Sequence, residues 1–337
     1  MGRLTPQAVR STLPDHWRLL MQRCLAVVAC LTFAAIAPAA GQGLRRDADP
    51  EAVMADELVV QARTPGPAWW RVTNGASEVW IIGVPVGLPK GTNWSDRSLQ
   101  AHLGKARELI TPAQVHVGPL KAISFFIRHR KDLRSKVALE DGLPPEEARR
   151  FASAREQLGK PARSYASWRP AVAAVMLSSD FRRSMKLDVG EPLGHIRALA
   201  SRAGVRERRA ADYNGAEVLN VIVTMPEEAH RQCLDDSVAE VAAGPDRIRR
   251  AARAWADGDV RTALSVERGY ERCLAALPVI TALMLRSQGD MADAIVGALS
   301  KTGETVVVVD LRSLVARGGV LDRLRSRGLT IGTPATT

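Results

Sequence analysis

Five histidines beyond residue 40 are the side chains best suited to hold a metal ion or move a proton near neutral pH: His102, His116, His129, His195 and His230. None stands in H-E-x-x-H or another zinc-ligating spacing. Glu191 and His195 are four apart and can share a helix face, but Pro192 explains the glutamate equally well as a helix-start residue. Glu227 and Glu228 before His230 fit an acidic first helical turn. His102 and His129 lie in polar, basic stretches that predict exposure. Nucleophilic chemistry has no firmer footing. There is no G-x-S-x-G elbow, and Ser313 has Arg312 beside it and no base in sequence. "RGG" at 317–319 lacks the lysine of a phosphate loop, and no glycine fingerprint precedes Asp310 to make it a ribose ligand. Cys233 and Cys273 form no C-x-x-C, which leaves a structural disulfide or two buried thiols and gives redox catalysis no support.

The elements that must position such residues begin at residue 67. Two apolar runs flank Asn74-Gly75, a strong hairpin signal, and predict strands over 68–73 and 78–83. The second runs into "VPVGLPKG". A loop at the C-terminal end of a core strand is a common place for chemistry, yet this one offers Val84, Val86 and Leu88, none of which binds a metal or a proton. Leu99, Leu103, Ala106 and Ile110 predict a helix capped by Ser95. From about 143 to 300 the pattern is a succession of helices, with Thr224 and Glu227 spaced as a capping box. "TVVVVD" at 305–310 reads as a strand buried on both faces, followed by a loop, the helix "VLDRLRSRG" and a last strand "LTIG". The fold class is α/β (α+β mixed). A small central sheet built from N- and C-terminal strands is surrounded by a large helical middle, in a single domain over 67–332 with a tail at 333–337.

The chain of 337 residues carries a net charge of +11. Residues 1–40 read as an N-terminal extension and signal peptide. The apolar run "CLAVVACLTFAAIA" at 24–37 has a basic flank and a small-residue A-x-A end, placing the signal at about 21–39 with Met21 a possible true start. Cys30 also fits a lipobox, although the apolar run continues past it. No other segment reaches membrane-spanning length, so no transmembrane anchor is expected after signal removal. The protein is expected to be periplasmic or secreted, where a Cys233–Cys273 disulfide can persist. Residues 41–66 read as a flexible mature N-terminus. Without residues 1–39, which hold Arg3, Arg10, Arg18, Arg23 and Asp15, the charge is +8. That surplus favours anionic envelope partners, and no interleaved aromatic and basic stripe supports nucleic acid.

"PAWWRVTNGASEVWIIGVPVGLPKGTNW", followed by a helix ending "ARELI", together with "LRS…VVVVDLRSLVARGGVLDRLRSRGLTI", resembles the TraB/GumN family, which includes Tiki-type proteases. Active members are inferred to hold a divalent metal with the histidine of G-T-x-H, a glutamate after an apolar run and a histidine in a second glycine-rich loop. On these motifs Gly83 keeps the first glycine, Val86 takes the histidine position and Pro112 the glutamate position. Arg286 keeps an arginine whose neighbour, an asparagine in the family, is Ser287. Ser313 takes the second histidine position, with Asp310 and Arg312 at its glycines. Valine and proline offer no ligand. The resemblance therefore implies a catalytically inactive scaffold with a binding or regulatory role, with no metal or other cofactor. Arg286, Arg312 and Asp310 are the candidate contacts to an envelope protein, peptide or anionic polymer. The alternative is a metal-dependent hydrolase or peptidase with relocated ligands such as Glu108, His116 or Asp310.

Overall fold

The computed structural model describes residues 49–334 other than 267. The expected signal peptide and residues 41–48 lie outside the described residues. Trp69–Thr73 (β1) and Ser77–Val84 (β2) form the expected antiparallel hairpin. Asn74 Oδ1 accepts from the amides of Ala76 and Ser77, and Gly75 takes the left-handed φ of +92° that its turn requires. Next come β3 (Leu88–Pro89) and α1 (Arg97–Leu103). Asp96, not Ser95, stands at the N-cap of α1, and no side chain caps it. The apolar spacing predicts that this helix runs through Ile110. Instead it stops at Leu103, and Ala106–Thr111 forms strand β4. Leu109 and Ile110 are fully buried beside the centre of the sheet, so tertiary burial overrides a period that matched a helix by coincidence.

The middle of the chain supplies β5 (Gln114–His116), α2 (Pro119–Arg128), α3 (Pro145–Gln157), α4 (Pro170–Ser184), β6 (Leu187–Asp188) and α5 (Leu193–Arg202). Then follow β7 (Arg206–Arg209), β8 (Asp212–Asn214), α6 (Ala216–Thr224), α7 (Glu227–Ala243), α8 (Pro245–Ala256), α9 (Val260–Ala263), α10 (Tyr270–Ala275) and α11 (Pro278–Leu299). No capping box forms between α6 and α7: Thr224 Oγ1 donates back to Asn220 O at 3.0 Å, and Pro226 stands at the N-cap of α7. The chain closes with β9 (Gly303–Asp310), α12 (Leu311–Val315), α13 (Val320–Ser326) and β10 (Ile331–Gly332).

The fold is mixed α/β, built on a six-stranded sheet in the order β10-β1-β2-β9-β4-β7. The strands β2, β9, β4 and β7 are parallel, and β1 runs antiparallel to both of its neighbours, β2 and the edge strand β10. Val306 to Val309 are buried on both faces, which only an interior strand allows. The ends of the chain do not supply the whole sheet, because β7 comes from the helical middle. Its sequence, Arg-Glu-Arg-Arg, carries no apolar signal. As an edge strand it tolerates charge, and Arg208 Nε donates to Glu108 Oε2 of β4 at 3.2 Å.

Two apolar cores result. One lies around the sheet; the other lies among α3, α4, α6, α7 and α10. The long helix α11 joins them, giving Ile280, Leu283 and Met284 to the helical core and Met291, Ile295 and Leu299 to the sheet core. Cys233 of α7 and Cys273 of α10 meet at disulfide distance in the helical core, with Cα atoms 5.1 Å apart. Residues 49–66, expected as a flexible lead-in, form a strap packed against the fold. Ala55 N donates to Val315 O, Arg317 N to Val53 O and Ala62 N to Gly258 O, and Ala55, Leu58 and Val59 are buried. The close approach at Gly258 needs glycine: a Cβ there would lie 2.5 Å from Ala62 Cβ, and its φ is +75°.

Candidate functional site

The parallel strands direct their C-terminal ends to one edge of the sheet, the edge where open α/β sheets hold ligands. Val84, the last residue of β2, is in register with Asp310, the last residue of β9, so the two motif-bearing loops leave the sheet side by side. Gly83 is pinned beneath them. A Cβ on it would lie 2.5 Å from Leu311 Cδ1 and 3.3 Å from the Trp70 ring, and its carbonyl accepts from Trp255 Nε1 at 2.7 Å. Val86 is two-thirds exposed, with 66% of its surface in solvent. Pro112 follows directly on β4, so the position expected after a helix follows a strand instead.

Asp310 accepts from the amides of Arg312 and Ser313 at 3.0 and 3.1 Å, capping α12. The strap lies over this point. Asp49-Pro50-Glu51-Ala52 makes a turn closed by Ala52 N donating to Asp49 O, with Glu51 N donating to Asp49 Oδ1 at 2.9 Å. Aspartate first and proline second are the residues such a turn favours. Both of its carboxylates are buried against Arg268, which donates to Asp49 and, at 2.9 Å, to Glu51 Oε2. Ser313 Oγ donates to the other Glu51 oxygen. The Gln288 carboxamide lies beside Glu51 and lowers its pKa, without a hydrogen bond of ordinary geometry. Arg312 donates to the carbonyls of Leu264 and Val266, so its guanidinium also fixes the loop that carries Arg268.

Burial dominates the electrostatics of this cluster. It pushes Glu51 up to about 8, with Asp310 adding to the rise and Ser313, Arg312 and Gln288 opposing it. Asp310 is raised by burial, against the two backbone amides and the two arginines. Arg268 falls to about 10 through burial and the neighbouring Arg312. Three acids face two guanidinium groups, so holding one carboxyl protonated balances the charge.

The remaining candidates lie elsewhere. Arg286 does not join Asp310 and Arg312; its guanidinium stands 5.2 Å over the Tyr213 ring, 3.8 Å from Asp290. Ser287 also reaches Tyr213. The proposed relocated ligands do not gather. Glu108 is in register with Thr305, five residues and so about 16 Å along β9 from Asp310. It is held by Arg107 and Arg208, while His116 pairs on the surface with Asp212 at 2.9 Å. His195 bonds Asp96 at 2.7 Å. His102 and His129 are half-buried rather than exposed, His102 stacking on Trp80 with ring centroids 4.1 Å apart and His129 bonding Asp132. Sequence reasoning missed Asp49, Glu51, Arg268 and Gln288. The signal that could have found two of them is Asp-Pro-Glu, a turn former with two acids set in a stretch read as linker.

The family model for TraB/PrgY/gumN proteins matches residues 68–333. The chain belongs to the TraB/PrgY/gumN family. No curated protein and no solved structure matches it significantly. The family match begins just after the strap, so Asp49 and Glu51 fall outside it while Arg268, Asp310, Arg312 and Ser313 fall within it. At the positions that the resemblance assigns to ligands, the residues do not fit a divalent ion. The side chains of Val86 and Pro112 have no ligating atom, and the nearby carboxyl groups are already engaged by Arg268, Ser313 and backbone amides. Among the described residues, no three His, Cys, Asp or Glu side chains gather in a way that would hold a metal.

Proposed function

We propose that this TraB/PrgY/gumN member is a catalytically silent binding protein of the bacterial envelope, exported by the signal at about 21–39. One observation carries the reading. At the sheet edge where the two loops meet, aliphatic, imino and hydroxyl side chains stand at the positions that the resemblance assigns to ligands, and a guanidinium-carboxylate cluster fills the space beside them. Such a cluster offers paired charged and hydrogen-bonding groups to a polar ligand. The paired Cys233 and Cys273 support an oxidising compartment, and among the described residues no helix is long and apolar enough to cross a membrane. The high positive charge favours anionic partners.

The test is incubation of the purified chain with a peptide library in the presence of added Zn²⁺, Mn²⁺ or Co²⁺, read by mass spectrometry. The proposal expects no cleavage above a metal-only blank. Turnover that EDTA abolishes would replace it with the hydrolase reading.

A further inference from the structure

We propose that Asp49-Pro50-Glu51 is an internal ligand, and that the cleft it fills is a carboxylate-recognition site that takes an acidic peptide turn in trans. This rests on reading the cleft as a binding site, and adds to it the class of ligand and the way access is controlled.

The acid-bearing turn at the head of the strap enters the cleft as a ligand would, while Ala55, Leu58 and Val59 behind it pack into the sheet core. The walls of the cleft come from parts of the chain far from the strap: Arg268 before α10, Gln288 on α11, and Ser313 on α12, all more than 200 residues from Glu51. What the strap inserts is chemically narrow. A single turn presents two carboxyl groups, the Asp49 carboxylate and the proton-holding Glu51, to one buried arginine, and the far oxygen of the second goes to a serine hydroxyl. Arginine is the side chain that reads carboxylates by paired N–H donors. Beside them Gln288 is 2% exposed, with neither its amide nitrogen nor its oxygen in a hydrogen bond of ordinary geometry. A buried, unsatisfied carboxamide costs free energy unless something completes it. Gln288 approaches only Glu51 and only with imperfect geometry, so a ligand with a polar group better placed at this point gains what the strap does not.

Three features keep Arg268 in place without the strap. The Cys233–Cys273 pair ties α10 to α7 close by, and Arg272, in the first turn of α10, pairs with Asp236 of α7. Arg312 holds the preceding carbonyls of Leu264 and Val266. The head of the strap is held by two backbone hydrogen bonds, Ala55 N to Val315 O of α12 and Arg317 N, just past α12, to Val53 O, before buried Leu58 and Val59 anchor the rest in the core. A competing acidic turn thus has to displace only the head of the strap at 49–55.

The test uses the full chain and a fluorescein-labelled peptide carrying residues 49–56, "DPEAVMAD", with a control peptide in which both acids are replaced by their amides. Fluorescence anisotropy is read on the unaltered chain, on D49N/E51Q, and on D49N/E51Q carrying S313A or R268A. Hydrogen exchange at the Ala55 and Arg317 amides reports whether the strap is seated. The expected result is exchange at least tenfold faster in D49N/E51Q, and peptide binding at least tenfold tighter than to the unaltered chain. S313A should weaken that binding and R268A abolish it, with the amide control silent throughout. S313A keeps the test decisive if R268A fails to fold. Unchanged exchange in D49N/E51Q would overturn the proposal, as would equal binding of the acidic and amide peptides. Cleavage of the bound peptide would overturn catalytic silence while leaving this site intact.

Discussion

Glu51 is seated as an acid whose pKa has been pushed from 4.5 to about 8, by burial first and by Asp310 second. When the strap leaves the cleft, that carboxyl returns to its ordinary value in water. Between about 4.5 and 8 the seated state therefore binds more protons than the released state. Seating is fully supported below 4.5 and loses that support as the pH rises through 8. Within the window each pH unit weakens seating by about 1.4 kcal/mol. Going from about pH 6 to about pH 7.5 thus costs roughly 2 kcal/mol, or about thirty-fold in the seated-to-released ratio. The groups facing Glu51 do not reverse this. Asp310 is shifted in the same direction, Arg268 at about 10 keeps its charge across the window, and Gln288 and Ser313 do not titrate there. Hydrogen exchange at Ala55 and Arg317, expressed as protection factors to remove the intrinsic pH dependence, measures the effect directly. Protection should fall as pH rises, and the slope should flatten in E51Q. Protection that is constant or rises with pH, or a slope that survives E51Q, would refute the reasoning.

Three further outcomes follow from packing and charge elsewhere. Gly83→Ala places a methyl 2.5 Å from Leu311 Cδ1 and against Trp70, and should lower stability by about 1–3 kcal/mol in urea unfolding; an unchanged midpoint would show that α12 can shift freely. Replacing both Cys233 and Cys273 by serine opens a loop spanning 40 residues and should cost about 4 kcal/mol in the chain-entropy model, read as a drop in denaturation midpoint. His230 is fully buried with neither ring nitrogen bonded, and burial, reinforced by Arg169 and opposed by Glu227, lowers its pKa from 6.5 to about 4. Its contribution is therefore intact above 6.5 and lost as pH falls through 4, so His230→Leu should flatten the acid side of a stability-pH curve. An acid limb that persists in that variant would assign it to other groups.

Much of the sheet was legible because its interior strands carry unambiguous signals. The unbroken valines of β9 and the Asn74-Gly75 hairpin leave few alternatives. The errors have a common physical origin, which is that position in the sheet decides conformation where local pattern is neutral. Ala106–Thr111 matched a helical period but is buried between β9 and β7, and Arg206–Arg209 has no apolar face because an edge strand needs none. The two loops were legible as architecture, since Val84 and Asp310 end paired parallel strands. The cleft's contents could not. Asp49 and Glu51 look like solvated acids until the fold brings Arg268 to them from more than 200 residues away, and no spacing in a sequence encodes that meeting. Arg286 and Arg312 show the same limit: both are arginines near motif positions, yet one stacks on Tyr213 and the other braces a loop.

The central claim is that the old ligand positions no longer hold a divalent ion, and the metal content of the full chain tests it most directly. The protein is purified from cells supplied with zinc, manganese and cobalt, and assayed by plasma mass spectrometry with a thermal melt before and after chelator. The account predicts only substoichiometric metal and a melting temperature that chelator leaves unchanged. One tightly held ion per chain, removed by chelator with a fall in melting temperature, would contradict it.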